Sequence, residues 1–246
     1  MIEVENVSKR YGDAEAVRDV SFRVDTGEVV GFVGPNGAGK TTTMKVLACL
    51  MPPTAGIARI AGFDTVDHSA DARRRLGYLP ESVPLYTDMT VRQYLSYMAA
   101  LRDVPKARRA ERVSEVIAAV GTEEYADRRI GTLSKGFRQR VGIGQAVIHE
   151  PAVVILDEPT SGLDPAQRIE MRSLITNIGR EHAVLLSSHI LSEVALGCDR
   201  IVVIDRGRVV ADGTLPEITA AAGLAEGSST ESVFLALTGT GERAEP

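Results

Sequence analysis

Eight residues, GPNGAGKT at positions 34–41, constrain this chain more tightly than any other stretch. They follow a short continuous apolar run, EVVGFV at 28–33, and precede Met44, Leu47, Ala48 and Met51, which recur at helical spacing. A continuous apolar run of that length marks a strand covered on both faces, so the order is buried strand, glycine-rich loop, helix. Glycines at 34, 37 and 39 let the backbone wrap so that successive N–H groups converge, and the helix N-terminus adds about half a positive charge there. Gly34, Pro35, Asn36, Gly37, Ala38, Gly39 and Thr42 therefore read as a phosphate cradle. Lys40 is placed to reach the β and γ phosphates of ATP, and the Thr41 hydroxyl to ligate Mg²⁺.

A second buried run, AVVIL at 152–156, ends in Asp157 and Glu158. Open α/β sheets keep their ligands at the C-terminal edges of their strands, so two carboxylates there invite a role. Asp157 suits the Mg²⁺ shell, and Glu158 suits the acceptor that orients or deprotonates an attacking water.

LSKGFRQR at 133–140 has the makings of another anion site: Ser134 is a good N-cap, Gly136 permits close approach, and a helix follows. One ATP needs only one phosphate loop, so this second site implies a nucleotide held elsewhere. A second copy of the chain would supply it, with Ser134 and Gly136 contacting the γ-phosphate of ATP held by the other copy's loop across a two-fold interface.

Around these motifs, Ile2 and Val4 alternate with Glu3 and Glu5, and Val20, Phe22 and Val24 with Ser21, Arg23 and Asp25, which predicts half-buried antiparallel strands. Residues 88–150 turn helical: Thr90 and Gln93 form a capping box, Val91, Tyr94, Leu95 and Met98 make one apolar face, and Val113, Val116, Ile117 and Val120 another. Residues 200–211 (RIVVIDRGRVVA) predict a hairpin turning at 205–207, and a Gly/Ser/Thr-rich link near 227–230 precedes an apolar VFLAL stretch.

Charge and cysteine content narrow the partners. Against 33 acidic residues stand 28 basic ones, a net charge of −5, so no global field draws the chain to nucleic acid, and the arginine clusters at 73–75, 108–109 and 128–129 read as solvated helical faces. Cys49 and Cys198 lie far apart with no metal spacing, which suits a reducing compartment. The longest charge-free run, 46–58, is 13 residues broken by Pro52 and Pro53, too short to span a membrane.

Taken in order, these motifs closely resemble the nucleotide-binding domain of ATP-binding cassette (ABC) proteins over residues 1 to about 213. GPNGAGKT looks like the Walker A loop, VVILDEP like Walker B, and LSKGF holds the place of the family signature. SGLD at 161–164 is similar to the D-loop that links two sites across a dimer, which implicates Asp164. LLSSH puts His189 where the family's switch histidine contacts the γ-phosphate and holds the catalytic carboxylate; RYG puts Tyr11 where an aromatic ring stacks on adenine. The resemblance implies an α/β fold: a P-loop NTPase (RecA-like) core at about 1–80 and 146–213, with an N-terminal antiparallel β subdomain. It further implies an inserted α-helical subdomain at about 81–145 and a C-terminal tail at about 214–246. Lys40, Glu158 and His189 would then be catalytic, with Thr41, Glu81 and Asp157 at the metal.

Two places depart from the common family pattern. Glu81 stands where Gln is usual, which keeps an acceptor oxygen and loses an amide donor. In the signature, Lys135 replaces Gly and Phe137 replaces Gln, and Phe137 cannot make Gln's polar contact. The resemblance implies an ATPase subunit that dimerises around ATP and Mg²⁺ and drives separate transmembrane permease subunits. Such a subunit is cytoplasmic, peripheral at the inner face of the membrane, with a docking groove at 86–98. Export is favoured over import, and the alternative is a soluble assembly or regulatory ATPase; a small-molecule kinase leaves the signature and D-loop without a role.

Overall fold

A computed structural model describes residues 1–239. In chain order, β1 (Ile2–Tyr11), β2 (Ala14–Val24) and β3 (Val29–Val33) lead into α1 (Lys40–Leu47), followed by β4 (Ala55–Ile60), β5 (Phe63–Asp64), α2 (Ser69–Arg74) and β6 (Leu76–Leu79). Three longer helices follow, α3 (Val91–Leu101), α4 (Arg109–Ala119) and α5 (Lys135–Val147), with two short 3₁₀ turns before α5. β7 (Val153–Leu156), α6 (Pro165–Gly179), β8 (Ala183–Ser188) and α7 (Leu191–Ala195) return the chain to the sheet, and β9 (Arg200–Asp205), β10 (Arg208–Gly213), α8 (Leu215–Ala221) and α9 (Thr230–Thr238) complete it.

Period-two alternation explains the main layers. In the four-stranded antiparallel sheet, ordered β2-β1-β4-β5, Ile2 pairs with Val24 and Val4 with Phe22, and all four are buried. The six-stranded sheet is ordered β10-β9-β3-β8-β7-β6, parallel from β9 through β6, with β10 antiparallel at its edge. Its runs are apolar without interruption because each face meets a different core. Val30, Phe32, Val153, Ile155, Leu185 and Val202 pack with the antiparallel sheet and α1. Val29, Val33, Val154, Leu156, Val184 and Val203 pack with the helices of the opposite layer. A polar residue at any of these positions loses a core whichever way it points.

The helical layer forms where the spacing predicts it. The Thr90 hydroxyl accepts from Gln93 N at 3.2 Å and the Gln93 side chain accepts from Thr90 N at 3.0 Å, a reciprocal cap worth about 1 kcal/mol. Val91, Tyr94, Leu95, Val113, Val116 and Ile117 are buried, and the Tyr94 hydroxyl donates to Gln145 on α5. Arg112 donates to the carbonyls of Val147 at 2.8 Å and Ile148 at 3.1 Å, satisfying the end of α5 that no further helical turn would cover.

Helix α1 is shorter than its apolar spacing predicts, and Met51 lies off it. Cys49 takes a left-handed φ of 55°, Cys49 N bonds Val46 O and Leu50 N bonds Lys45 O, so a Schellman cap stops the helix two turns in. The apolar VFLAL stretch lies in α9, which packs on α7 and β9. Residues 240–246 of the tail lie outside the described residues.

The β9–β10 hairpin turns through Arg206 and Gly207, both at positive φ. Its tip is pinned between two distant segments: Gly207 N donates to Ala38 O at 2.9 Å, and Arg18 N donates to Gly207 O at 2.7 Å.

Candidate nucleotide site

The parallel register brings the predicted residues to one edge of the sheet. Val33 pairs with Ser188, Leu156 with Leu186, and Leu79 with Leu156, so the segments after β3, β8, β7 and β6 all emerge together. Those segments carry Lys40, His189, Asp157 with Glu158, and Glu81. They enclose a cleft of about 290 Å³ lined by Asn36, Gly37, Gly39, Lys40, Thr41, Thr42, Glu81, Glu158 and His189, with Ala16 and Ser161 at its margins.

Backbone space dictates two of the loop glycines. A Cβ on Gly34 would lie 2.2 Å from the Ile204 carbonyl oxygen, and Gly39, at φ 108°, would put one 2.6 Å from the Ala16 oxygen. Lys40 is buried, and its ammonium donates to the carbonyls of Gly34 at 2.7 Å and Pro35 at 3.1 Å, which closes the loop on itself. Gly34 and Pro35 thus serve the cleft through Lys40, and the Ala38 carbonyl faces the hairpin tip. Burial lowers the Lys40 pKa, while Glu158, Asp157 and Glu81 pull it back up.

The two carboxylates are held by a residue that the motif reading passed over. The Ser187 hydroxyl donates to Asp157 Oδ1 at 2.6 Å and accepts from Glu158 N at 2.8 Å, a buried bridge across the end of the sheet. Glu158 itself has a left-handed φ of 51°, a conformation costing about 1 kcal/mol or more for a residue with a Cβ. On the far side of the carboxyl, His189 Nδ1 lies 2.9 Å from Glu158 Oε2, so the proton on Nδ1 donates to it. Burial raises the pKa of both Asp157 and Glu158; the Ser187 bond counters this at Asp157 and the His189 bond at Glu158. Of the two effects on Glu158 burial is the larger, so its carboxylate is a stronger base than an exposed one.

The donor set fits a magnesium ion. Thr41 and Glu81 line the cleft with hard oxygens, and Asp157, buried at the end of β7, adds a third. No cluster of three or more His, Cys, Asp or Glu converges among the described residues. That suits an ion that takes one or two carboxylates and completes its shell with water and substrate phosphates.

Ser134, Gly136, Asp164 and Tyr11 do not line this cleft. Ser134 caps α5, accepting from Phe137 N at 3.4 Å, and the Asp164 carboxylate caps α6, accepting from Gln167 N at 2.9 Å. A Cβ on Gly136 would come within 2.9 Å of Gln167 Oε1, so close approach at that position is already used inside the chain. Phe137 stacks on Tyr125 with ring centroids 4.1 Å apart, which gives the apolar residue a packing role where a polar one is usual. Tyr11 is 48% exposed at the end of β1, its hydroxyl 3.0 Å from Met51 Sδ. Ser161, the first residue of the SGLD segment, lines the cleft although Asp164 does not; the signal for Ser187 was the abrupt change from apolar AVLL to SSH at a strand's end.

Comparison with known proteins agrees with this geometry. Residues 17–161 match the family model described as ABC transporter. Over 218 residues the chain is 39% identical to the uncharacterized ABC transporter ATP-binding protein YxlF of Bacillus subtilis (strain 168), covering 89% of this chain and 72% of that protein. It is 37% identical over 213 residues to the Nod factor export ATP-binding protein I of Burkholderia orbicola (strain AU 1054), covering 86% and 70%. A solved ATP-binding subunit of an ABC transporter superposes with a TM-score of 0.86 at 34% identity, covering 96% of this chain and 99% of that one. The dimeric structure of MJ0796, a bacterial ABC transporter cassette, superposes at 0.77 with 26% identity, covering 87% and 99%.

Proposed function

The chain belongs to the ABC transporter family of ATP-binding proteins, and on that premise we propose that it is the ATP-hydrolysing cassette of an exporter, working with separate membrane-spanning subunits. Binding and hydrolysis of ATP come with the family. The observation that carries the residue assignment is the chain Asp157–Ser187–Glu158–His189, hydrogen bonded end to end beside the Lys40 loop.

In this reading the backbone N–H groups of the loop hold the β and γ phosphates, and Lys40 exchanges its loop carbonyls for phosphate oxygens. Glu158 accepts the proton of the attacking water. His189 fixes the carboxylate's direction through Nδ1, leaving the other face of the ring toward the γ-phosphate. Mg²⁺, held by Thr41, Asp157 and Glu81, would neutralise charge building on the phosphates. Tyr11, exposed at the end of β1, offers its ring to adenine.

Ser134 and Gly136 serve the nucleotide of a second copy, and Asp164 marks the segment that joins the two sites. Dimeric MJ0796 supports a paired arrangement, and the Nod factor export relative supports the outward direction. No helix among the described residues is long and apolar enough to cross a membrane. Contact with the membrane at its cytoplasmic face therefore runs through a partner docked on 86–98, where Tyr86 and Tyr97 are exposed. The relatives described above do not favour the soluble assembly reading.

The test is capture of tagged Glu158→Gln chain from gently solubilised native cells with Mg-ATP, followed by mass spectrometry of membrane and soluble fractions. A polytopic membrane protein in a complex with two cassettes is the expected result; soluble partners alone would overturn the transporter reading.

A further inference from the structure

Away from the nucleotide cleft, α2 and the end of α3 meet at a cavity of about 250 Å³ lined by Ala70, Arg73, Arg74, Leu101, Arg102, Asp103 and His149. Its charge is unbalanced. Arg74 is paired with Asp71 at 3.0 Å, but among the described residues neither Arg73 nor Arg102 forms an ion pair, and Asp103, the one acid in the lining, reaches no guanidinium. The Arg102 guanidinium donates to the backbone carbonyl of Arg73 at 3.1 Å, and burial lowers its pKa. A partly desolvated cation without a counter-ion is costly, and a carboxylate arriving from outside removes that cost. His149 offers the acid no proton: its Nε2–H donates to Leu76 O at 3.1 Å, burial pushes its pKa down to about 4, and its buried Nδ1 is left as an acceptor.

An apolar track leads to this cavity. Tyr86 and Tyr97 stack edge to face with centroids 5.7 Å apart, and Leu101 follows Tyr97 by one helical turn on α3. Their exposures, 54%, 42% and 60%, are high for such large apolar groups on neighbouring turns. Tyrosine and arginine are the residues that protein interfaces concentrate. The cavity is also locally basic on a chain whose net charge is −5, so the attraction for an acid there comes from its own lining and not from the chain as a whole.

We infer that this corner receives an acidic side chain of the partner segment that docks along Tyr86, Tyr97 and Leu101, with Arg73 and Arg102 as its counter-ions. The inference deepens, and rests on, the membrane-partner reading above. It extends the docking surface beyond 86–98 to α2 and to the end of α3, and it names the chemistry of the partner: an Asp or Glu flanked by apolar residues.

The experiment is rebinding of labelled full-length chain to native membranes stripped of their own cassette. Arg73→Gln should weaken rebinding about tenfold and Arg73→Gln/Arg102→Gln about 10- to 100-fold, while ATP hydrolysis by the free cassette stays unchanged. Because Arg73 is exposed and its side chain forms no hydrogen bond or ion pair among the described residues, the single variant tests the idea even if the double variant misfolds. A photo-crosslinker at position 101 should label a segment carrying Asp or Glu within one helical turn. Neutralising that acid should cause the same loss as Arg73→Gln/Arg102→Gln, with no further loss when the changes are combined. Wild-type binding by the double variant, or a labelled segment without an acid, overturns this inference and leaves the transporter reading standing. Failure of the unaltered chain to rebind removes both.

Discussion

The nucleotide cleft and the start of α5 are both suited to phosphate, yet they are built to different degrees. In the cleft Lys40 is held by two backbone carbonyls, Asp157 by the Ser187 hydroxyl and Glu158 by the His189 ring. At the start of α5, Ser134 holds only its own cap bond at 3.4 Å, and Lys135 lies against Gly162. A second cleft of about 550 Å³, lined by Lys135, Arg138 and Gln139, shares Glu81 and Ser161 with the first, but Ser134 and Gly136 line neither. One region is preorganised within the chain; the other offers donors and a helix dipole to something outside it. In the proposed paired arrangement the difference would divide catalysis between copies, with the reaction centre on one and a completing contact on the other.

The sharpest way to break this contrast is at the preorganised end. Glu158→Gln should lower turnover by about 10²- to 10⁴-fold while ATP still binds, read by phosphate release beside nucleotide affinity; unchanged turnover would take Glu158 out of the base role. Next, Lys40→Ala and Ser134→Arg chains should each be inactive alone, yet their mixture should recover activity, because the heterodimer keeps one intact composite site. If mixed dimers are isolated and remain dead, the division between copies is wrong.

Smaller effects refine how the cleft is held. Ser187→Ala should cut kcat about tenfold with little change in KM, since it loosens Asp157 and the Glu158 backbone without touching substrate. An equal loss in both parameters would instead mark a binding role. The mildest test follows the Glu158 proton. Burial raises its pKa, so activity should fall on the acid side at a pH above the usual carboxylate range. The His189 bond lowers that pKa, so the residual activity of His189→Ala should show its acid limb at higher pH, and a limb moving to lower pH would contradict the assigned contact.

Much of this was legible from local pattern. Strands with two buried faces, the capping box at Thr90 and the hairpin at 205–207 are each set by residues near one another in sequence, and the structure has them all. What pattern missed depends on where distant segments meet. Ser187 becomes a bridge only because β7 and β8 are neighbours in register, and Phe137 is explained only by Tyr125 lying across from it. The shortened α1 failed differently: an apolar spacing that continues through Met51 concealed a cap formed by Cys49, a residue type that gives no such signal.

The pinned hairpin tip bears on how this protein is made. The cradle at 34–41 leaves the ribosome early, yet β3 is flanked by β8 and β9, and the Ala38 carbonyl is engaged by Gly207. Contacts of such long sequence separation form late. In a nascent chain the loop therefore gains its bond to the hairpin tip only after residue 207 has emerged. Truncated products that stop before that point would retain the whole motif and lack the fold that gives it affinity, so competence for nucleotide also reports that translation has passed the hairpin.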